Sequence, residues 1–189
     1  MNKFILLFLL TTSTLTLKTP EIIGHQIVDD DNIAVLQTYK NVLIPAVENG
    51  LANLSSSSEW DSNHSASHAR LHYTDRVGAS SWSAAKNVIG EYMQLGFGRL
   101  VALYQLKIQG REDIDQWVTT FKLQTTLNGS NFTLVNGGQE YNANKDRNSI
   151  VTITFNPPIY CVSLRILPET WQGHISLRTE AMVTTKFEY

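Results

Sequence analysis

Through much of the chain, apolar and polar side chains alternate, which is the period of a strand with one buried face. Phe121 and Leu123 alternate with Lys122 and Gln124, and Met93, Leu95 and Phe97 share one side of residues 92–97. Tyr104, Leu106 and Ile108 are expected on one face, with Gln105 and Lys107 on the other. Val151, Ile153 and Phe155 alternate with Thr152 and Thr154; Val162, Leu164 and Ile166 alternate with Cys161, Ser163 and Arg165. Pro157 and Pro158 are expected to break the chain between these two runs, because proline removes a ladder donor. Turn signals stand at residues 48–50, 78–81, 127–130 and 168–173, and residues 136–146 read as a longer polar loop. No amphipathic helix of any length is in the pattern. Several short strands at close spacing predict an all-β antiparallel sandwich or barrel.

The stretch QGREDIDQWVTTFKL, residues 109–123, interrupts this alternation with a charged turn. Arg111 stands there with Glu112, Asp113 and Asp115, after Gly110 and before Trp117. A polar loop carried between two strands is where an all-β protein commonly places a binding site.

Composition narrows the possibilities. The chain has 189 residues, enough for one domain with a real core, and 42% apolar content is too high for disorder. A net charge of −2 without a long basic run argues against sequence-independent nucleic-acid binding. The single cysteine cannot form an internal disulfide, and on a strand it reads as a buried thiol. Lys3 followed by an apolar run over residues 4–10 reads as a secretory signal peptide, too short for a transmembrane span of about 20 residues. Residues 1–19 are therefore expected to be a signal peptide, with an uncleaved anchor as the alternative. Residues 20–40 are expected to form a leader, a propeptide or a short outer element, and residues 185–189 a tail. Secretion gives meaning to four N-glycosylation sequons, at Asn53, Asn63, Asn128 and Asn131. Asn128 and Asn131 are so close that both are not expected to be occupied together.

Residues 41–184 resemble the discoidin domain, also called the coagulation factor V/VIII type C domain. The matching stretches are VENG (47–50), SASHARL (65–71), SWSAA (81–85), GEYMQLGFG (90–98), QGREDIDQWVTTFKL (109–123), LNGSNFT (127–133), DRNSIV (146–151), FNPPI (155–159) and LRILPETWQGHISLRTE (164–180). Within the family the likeness is strongest to slime-mould discoidins, at QGR–QWVT and at TWQGHISLR. The resemblance implies a distorted eight-strand jelly-roll barrel or sandwich of the galactose-binding-domain type, with ligand loops called spikes at one end. It also implies ligands drawn from galactose-type glycans, anionic phospholipid surfaces and proteins. Three positions depart from the family. The disulfide that often ties the domain ends would fall at Asn41 and Thr184. Gly96 stands where Asp is common, and Arg111-Glu112-Asp113 stands where some discoidins read Arg-Gly-Asp.

Trp60 falls in the first spike, between a serine run and Asp61, where an indole can stack on a sugar or enter a lipid headgroup layer. The alternative is a ring folded back on the barrel. Arg111 offers five fixed donors, either to a ligand or to a salt bridge with Glu112, Asp113 or Asp115. Asp113 and Asp115 can accept sugar hydroxyls, hold Arg111 or form a solvated acidic turn, while His64 and His174 map to the spike side in the resemblance, where each either hydrogen-bonds a ligand or stands as a satisfied surface histidine. The ligand-binding set expected is Trp60, Asp61, His64, Arg111, Asp113 and His174. Trp82, Trp117 and Trp171 are expected to pack in the core, and Arg70, Arg165 and Arg178 to serve buried acceptors. His64, His68 and His72 recur every four residues, but on extended chain successive members lie about 13 Å apart, so no metal site is expected. No cofactor is required. Calcium occurs in some sugar-binding relatives, but Asp61 and Asp75 alone do not make its oxygen cage.

Enzyme motifs are missing: there is no Gly-x-Ser-x-Gly, no His-Glu-x-x-His and no phosphate-cradling glycine loop. The expectation is a secreted, non-enzymatic, lectin-like module for galactose-type carbohydrate in cell adhesion. The partners are then glycans or extracellular proteins and not nucleic acid. A protein-binding adhesion module is the alternative. Anionic lipid is the weaker one, because Glu59 and Asp61 flank Trp60.

Overall fold

The computed structural model describes residues 42–72 and 80–185. The expected signal peptide and leader lie outside the described residues, as do Asn41 and Asp75. Among the described residues there are nine strands: β1 Ile44–Pro45, β2 Asn53–Ser56, β3 Trp82–Ser83, β4 Met93–Gln109, β5 Trp117–Thr126, β6 Thr133–Leu134, β7 Tyr141–Asn142, β8 Val151–Gln172 and β9 Ser176–Thr184. Every ladder between them is antiparallel. The main path runs β1-β9-β4-β8-β5-β6, with β2 added to β4, β3 to β9 and β7 to β5. The path has two ends, so the all-β antiparallel arrangement expected is present with the sheet not closed. Helix is limited, among the described residues, to three short 3-10 segments, Ser62–His64, Ala66–His68 and Val135–Gly138.

The inward faces form one continuous core. Met93, Leu95, Leu103, Leu106 and Ile108 of β4 meet Phe121 and Leu123 of β5, Leu164 and Ile166 of β8 and Leu177 of β9, all fully buried. Trp82 lies at its edge with no exposed surface and donates from Nε1 to the Ser58 carbonyl at 2.8 Å. Trp171 packs partly buried against the same core. A buried indole needs such a partner for its one donor.

Two expectations change. Tyr104 does not share a face with Leu106 and Ile108. The register of β4 shifts between Leu103 and Gln105 against both β8 and β9, so Leu103 takes the core position and Tyr104 is half-buried. An extra residue in one strand reverses the in–out parity beyond it, as a β-bulge does. Pro157 and Pro158 also do not divide two separate strands. Residues 155–158 drop out of the β4 ladder, between the pairs Leu103–Ile159 and Gln105–Thr154, while β8 continues through them. The missing proline donors thus fall in a stretch that does not pair with β4.

Cys161 takes an inward place on β8 and is fully buried. Burial pushes its thiol up to about 12. Only the thiolate attacks a disulfide reagent. The native protein is therefore expected to leave Ellman's reagent unreacted at neutral pH and to release one equivalent of chromophore when unfolded. Rapid native labelling would contradict this placement of Cys161.

Candidate functional site

Four segments converge at one place: the loop after β2, the end of β3, the β4–β5 loop and the turn between β8 and β9. They enclose a cleft of about 300 Å3 lined by Trp60, His64, Ser83, Arg111, Gln116 and His174. Local chemistry fixes each of these side chains.

Asp61 organises the first segment. Its Oδ1 accepts from the backbone N–H of Asn63 at 2.9 Å and of His64 at 3.1 Å, which caps the Ser62–His64 turn. The same oxygen lies 2.6 Å from His64 Nδ1. A carboxylate only accepts, so Nδ1 carries the proton and Nε2 is left for a ligand. This hydrogen bond from His64 is the main cause holding the Asp61 carboxyl below its ordinary range. Trp60, one residue earlier, donates its backbone N–H to Ser83 O at 2.9 Å, which ties the loop to β3. Trp60 is 60% exposed, and its ring meets the His174 ring edge-on, at 5.4 Å and 85°. His174 is held by Nε2, which donates to Ala84 O at 2.7 Å and leaves Nδ1 for a ligand.

The β4–β5 loop closes through Arg111 N–H to Gln116 O at 3.0 Å. Arg111 is buried except for its cleft face. Its Nε donates to Asp113 Oδ1 at 2.6 Å, Nη2 to Asp113 Oδ2 at 3.0 Å and Nη1 to Gln116 Oε1 at 3.1 Å. Three of the five donors are thus engaged and two remain. The Arg111 guanidinium is the main cause holding the Asp113 carboxyl below its ordinary range. Gln116 Oε1 also accepts from Ser176 Oγ at 3.3 Å, and Ser176 Oγ lies 2.8 Å from Ser83 Oγ. A polar chain of Arg111, Gln116, Ser176 and Ser83 therefore floors the cleft.

Two glycines allow the segments to approach. A Cβ on Gly110 would stand 2.7 Å from Arg147 Cα and 2.9 Å from Trp117 Cβ. Gly173 has φ +68° and would press on Asp115 O at 3.1 Å. Arg178 reinforces the loop from below, with Nε to Gly110 O at 2.7 Å and Nη2 to Arg147 O at 3.1 Å. Gly110→Ala is expected to cost about 1–3 kcal/mol, the usual cost of forcing extra volume into a packed site. Denaturant unfolding of the variant checks this, and an unchanged midpoint would contradict the close approach.

Of the residues expected at a site, Trp60, His64, Arg111 and His174 line this one cleft. Asp61 and Asp113 stand one step back and hold His64 and Arg111. Asp115 turns outward to Arg147, at 3.6 Å. His68 bonds Asn63 O through Nδ1 and His72 is exposed. Among the described residues no group of three or more His, Cys, Asp or Glu is placed to hold a metal ion. Gln116 and Ser83 were not singled out from sequence. Gln116 carried a signal, since it ends the charged turn that Arg111 begins; Ser83 carried none. The sequon side chains Asn53, Asn63, Asn128 and Asn131 are all exposed. Asn128 Oδ1 also ties its own turn, accepting from Thr126 Oγ1 and from the Ser130 and Asn131 N–H groups.

The F5/8 type C domain family matches residues 53–181, and the chain belongs to that family. Discoidin-2 of Dictyostelium discoideum is 40% identical over 143 residues, covering 72% of this chain and 56% of that protein. The solved structure of wild-type discoidin II from the same organism superposes with a TM-score of 0.75 at 37% identity, over 79% of this chain and 61% of that one. The chain thus spans a little over half the length of these discoidins. A family 32 carbohydrate-binding module of C. perfringens NanJ, solved with galactose, has a TM-score of 0.58 at 17% identity, over 76% of this chain and 98% of that one. At that identity the likeness is one of fold.

Proposed function

We propose that this domain is a lectin-like, non-enzymatic binding module that takes a galactose-type sugar into the Trp60–Arg111 cleft and serves extracellular recognition or adhesion. The observation that carries this reading is the pairing, in one small cleft, of an exposed indole face with directed donors and acceptors. A pyranose ring has an apolar face of C–H groups and a rim of hydroxyls. Trp60 can stack on the first, as aromatic faces do. Arg111, Gln116, His64 Nε2 and His174 Nδ1 can meet the second. Ligand clefts commonly combine an aromatic wall with a few convergent polar groups in this way. The N-terminal pattern of Lys3 and the apolar run supports entry into the secretory pathway, and the family resemblance supports adhesion. The galactose held by the C. perfringens module agrees with the reading, although the likeness to that module is one of scaffold.

Anionic lipid is the second reading. Val88, Ile89 and Ile114 are exposed on loops together with Trp60 and would supply apolar tips. Against it, Asp61, Glu112, Asp113 and Asp115 bring negative charge to the same segments, and a negative membrane surface repels them.

A glycan array probed with the secreted protein tests the proposal, with phosphatidylserine vesicles beside it. Retention on galactose-terminated glycans and weak vesicle binding are expected. Tight, salt-sensitive vesicle binding with no glycan retained would replace the sugar reading with the lipid one.

A further inference from the structure

The cation in the cleft is already spent. Asp113 takes two N–H groups of Arg111 in a fork, at 2.6 and 3.0 Å, while its own side chain stays half exposed. Glu112, Asp115 and Asp61 stand on the same two loops. Two further arginines beside the loop are committed as well: Arg147 donates to Asp113 O at 3.1 Å and lies 3.6 Å from the Asp115 carboxylate, and the buried Arg178 donates to Gly110 O and Arg147 O. A sulfate or carboxylate entering the cleft would have to displace Asp113 from the fork or sit beside it among further carboxylates. A neutral hydroxyl meets no such opposition, because the two remaining Arg111 N–H groups and the Gln116 amide suffice for it.

We infer that Asp113 makes the cleft selective for uncharged sugars and turns away sulfated, sialylated and uronic ones; this rests on the reading of the cleft as a sugar site. Asp113 acts through Arg111 and is a positioning residue. Without its charge, the same buried guanidinium would present an open fork, the geometry that binds sulfate or carboxylate bidentately. Its influence on specificity comes from like-charge repulsion, which suppresses wrong ligands more than it strengthens right ones.

The test compares the wild-type protein, Asp113→Asn and Asp113→Glu on immobilised galactose, galactose 3-sulfate and sialyl-α2,3-galactose. The wild type is expected to bind galactose and to reject both acidic sugars. Asp113→Asn should improve binding of galactose 3-sulfate on the order of tenfold, the scale of removing one close like charge. Added salt should shrink that gain, as screening requires. Asp113→Glu, which restores the carboxylate, should reject the acidic sugars again. A merely structural role for Asp113 would weaken all three ligands together and would not produce a gain. Thermal unfolding of each variant confirms that it is folded, and Asp113 is exposed enough to be replaced. The inference is overturned if the wild type binds galactose 3-sulfate as well as galactose. It is equally overturned if folded Asp113→Asn leaves the ratio of the two unchanged. If none of the three proteins binds any of the sugars, the sugar reading itself fails and takes the inference with it.

Discussion

Replacing Trp82 with alanine is expected to destabilise the domain by about 3–5 kcal/mol, the range for deleting a large buried aromatic. Trp82 has no exposed surface and sits among the core side chains where β3 pairs with β9, opposite Leu177. Two losses add. The cavity left by an indole cannot be filled by neighbours already on well-packed strands. The Ser58 carbonyl, which accepts the indole N–H at 2.8 Å, is left without that partner. Ser58 lies two residues before Trp60, so the change loosens the cleft as well as the core. Equilibrium denaturation measures the effect, and a loss below about 1 kcal/mol would show that Trp82 is not a core residue in the sense of buried aromatic truncations.

Trp60→Ala is expected to do the opposite. It should cost about 1–3 kcal/mol of ligand binding, as truncation of an anchor residue does, which is roughly 5- to 150-fold in Kd. Stability should scarcely move, because the residue is 60% exposed and its ring contact is the edge of His174. Arg111→Lys should weaken binding too, since an ammonium cannot hold Asp113 in a fork, reach Gln116 and still offer donors to a ligand. Affinity and thermal unfolding must be measured together. A Trp60→Ala protein that melts early but binds normally per folded molecule would place Trp60 in the core and remove it from the site.

The sequence carried much of this arrangement, and its failures have physical causes. Alternation placed the inward residues of β5 and of the first part of β4, because a two-residue period survives wherever the ladder is regular. It misplaced Tyr104, because a bulge changes parity without marking the composition. Pro157 and Pro158 were read as a break, yet the chain there leaves only the β4 register and stays extended. The all-β antiparallel class was legible, but the open six-strand path with β2, β3 and β7 added beside it was not, because strands of two residues leave no hydrophobic pattern. Trp60, Arg111, His64 and His174 were legible as candidates because polar loops carried them. The resemblance placed them at one end of the domain; that they line one cleft together with Gln116 and Ser83 required the fold. For Arg111 two alternatives stood open from sequence, a salt bridge in its own loop or a ligand contact. The structure contains the salt bridge and also places Arg111 in the lining of the cleft, with two donors not engaged by Asp113 or Gln116. Gln116 escaped notice because its role depends on accepting from two partners, Arg111 and Ser176, on different elements.

Titration of galactose into isotope-labelled protein, followed by NMR, addresses the central claim most directly. The account predicts that the Trp60 indole N–H, the Arg111 side chain and the backbone amides of His64, Gln116 and His174 shift in a saturable manner. The buried Trp82 indole and the cleft between Leu127 and Tyr160 at another part of the sheet should stay still. Saturable shifts confined to that second cleft, with Trp60 and Arg111 unmoved, would contradict it.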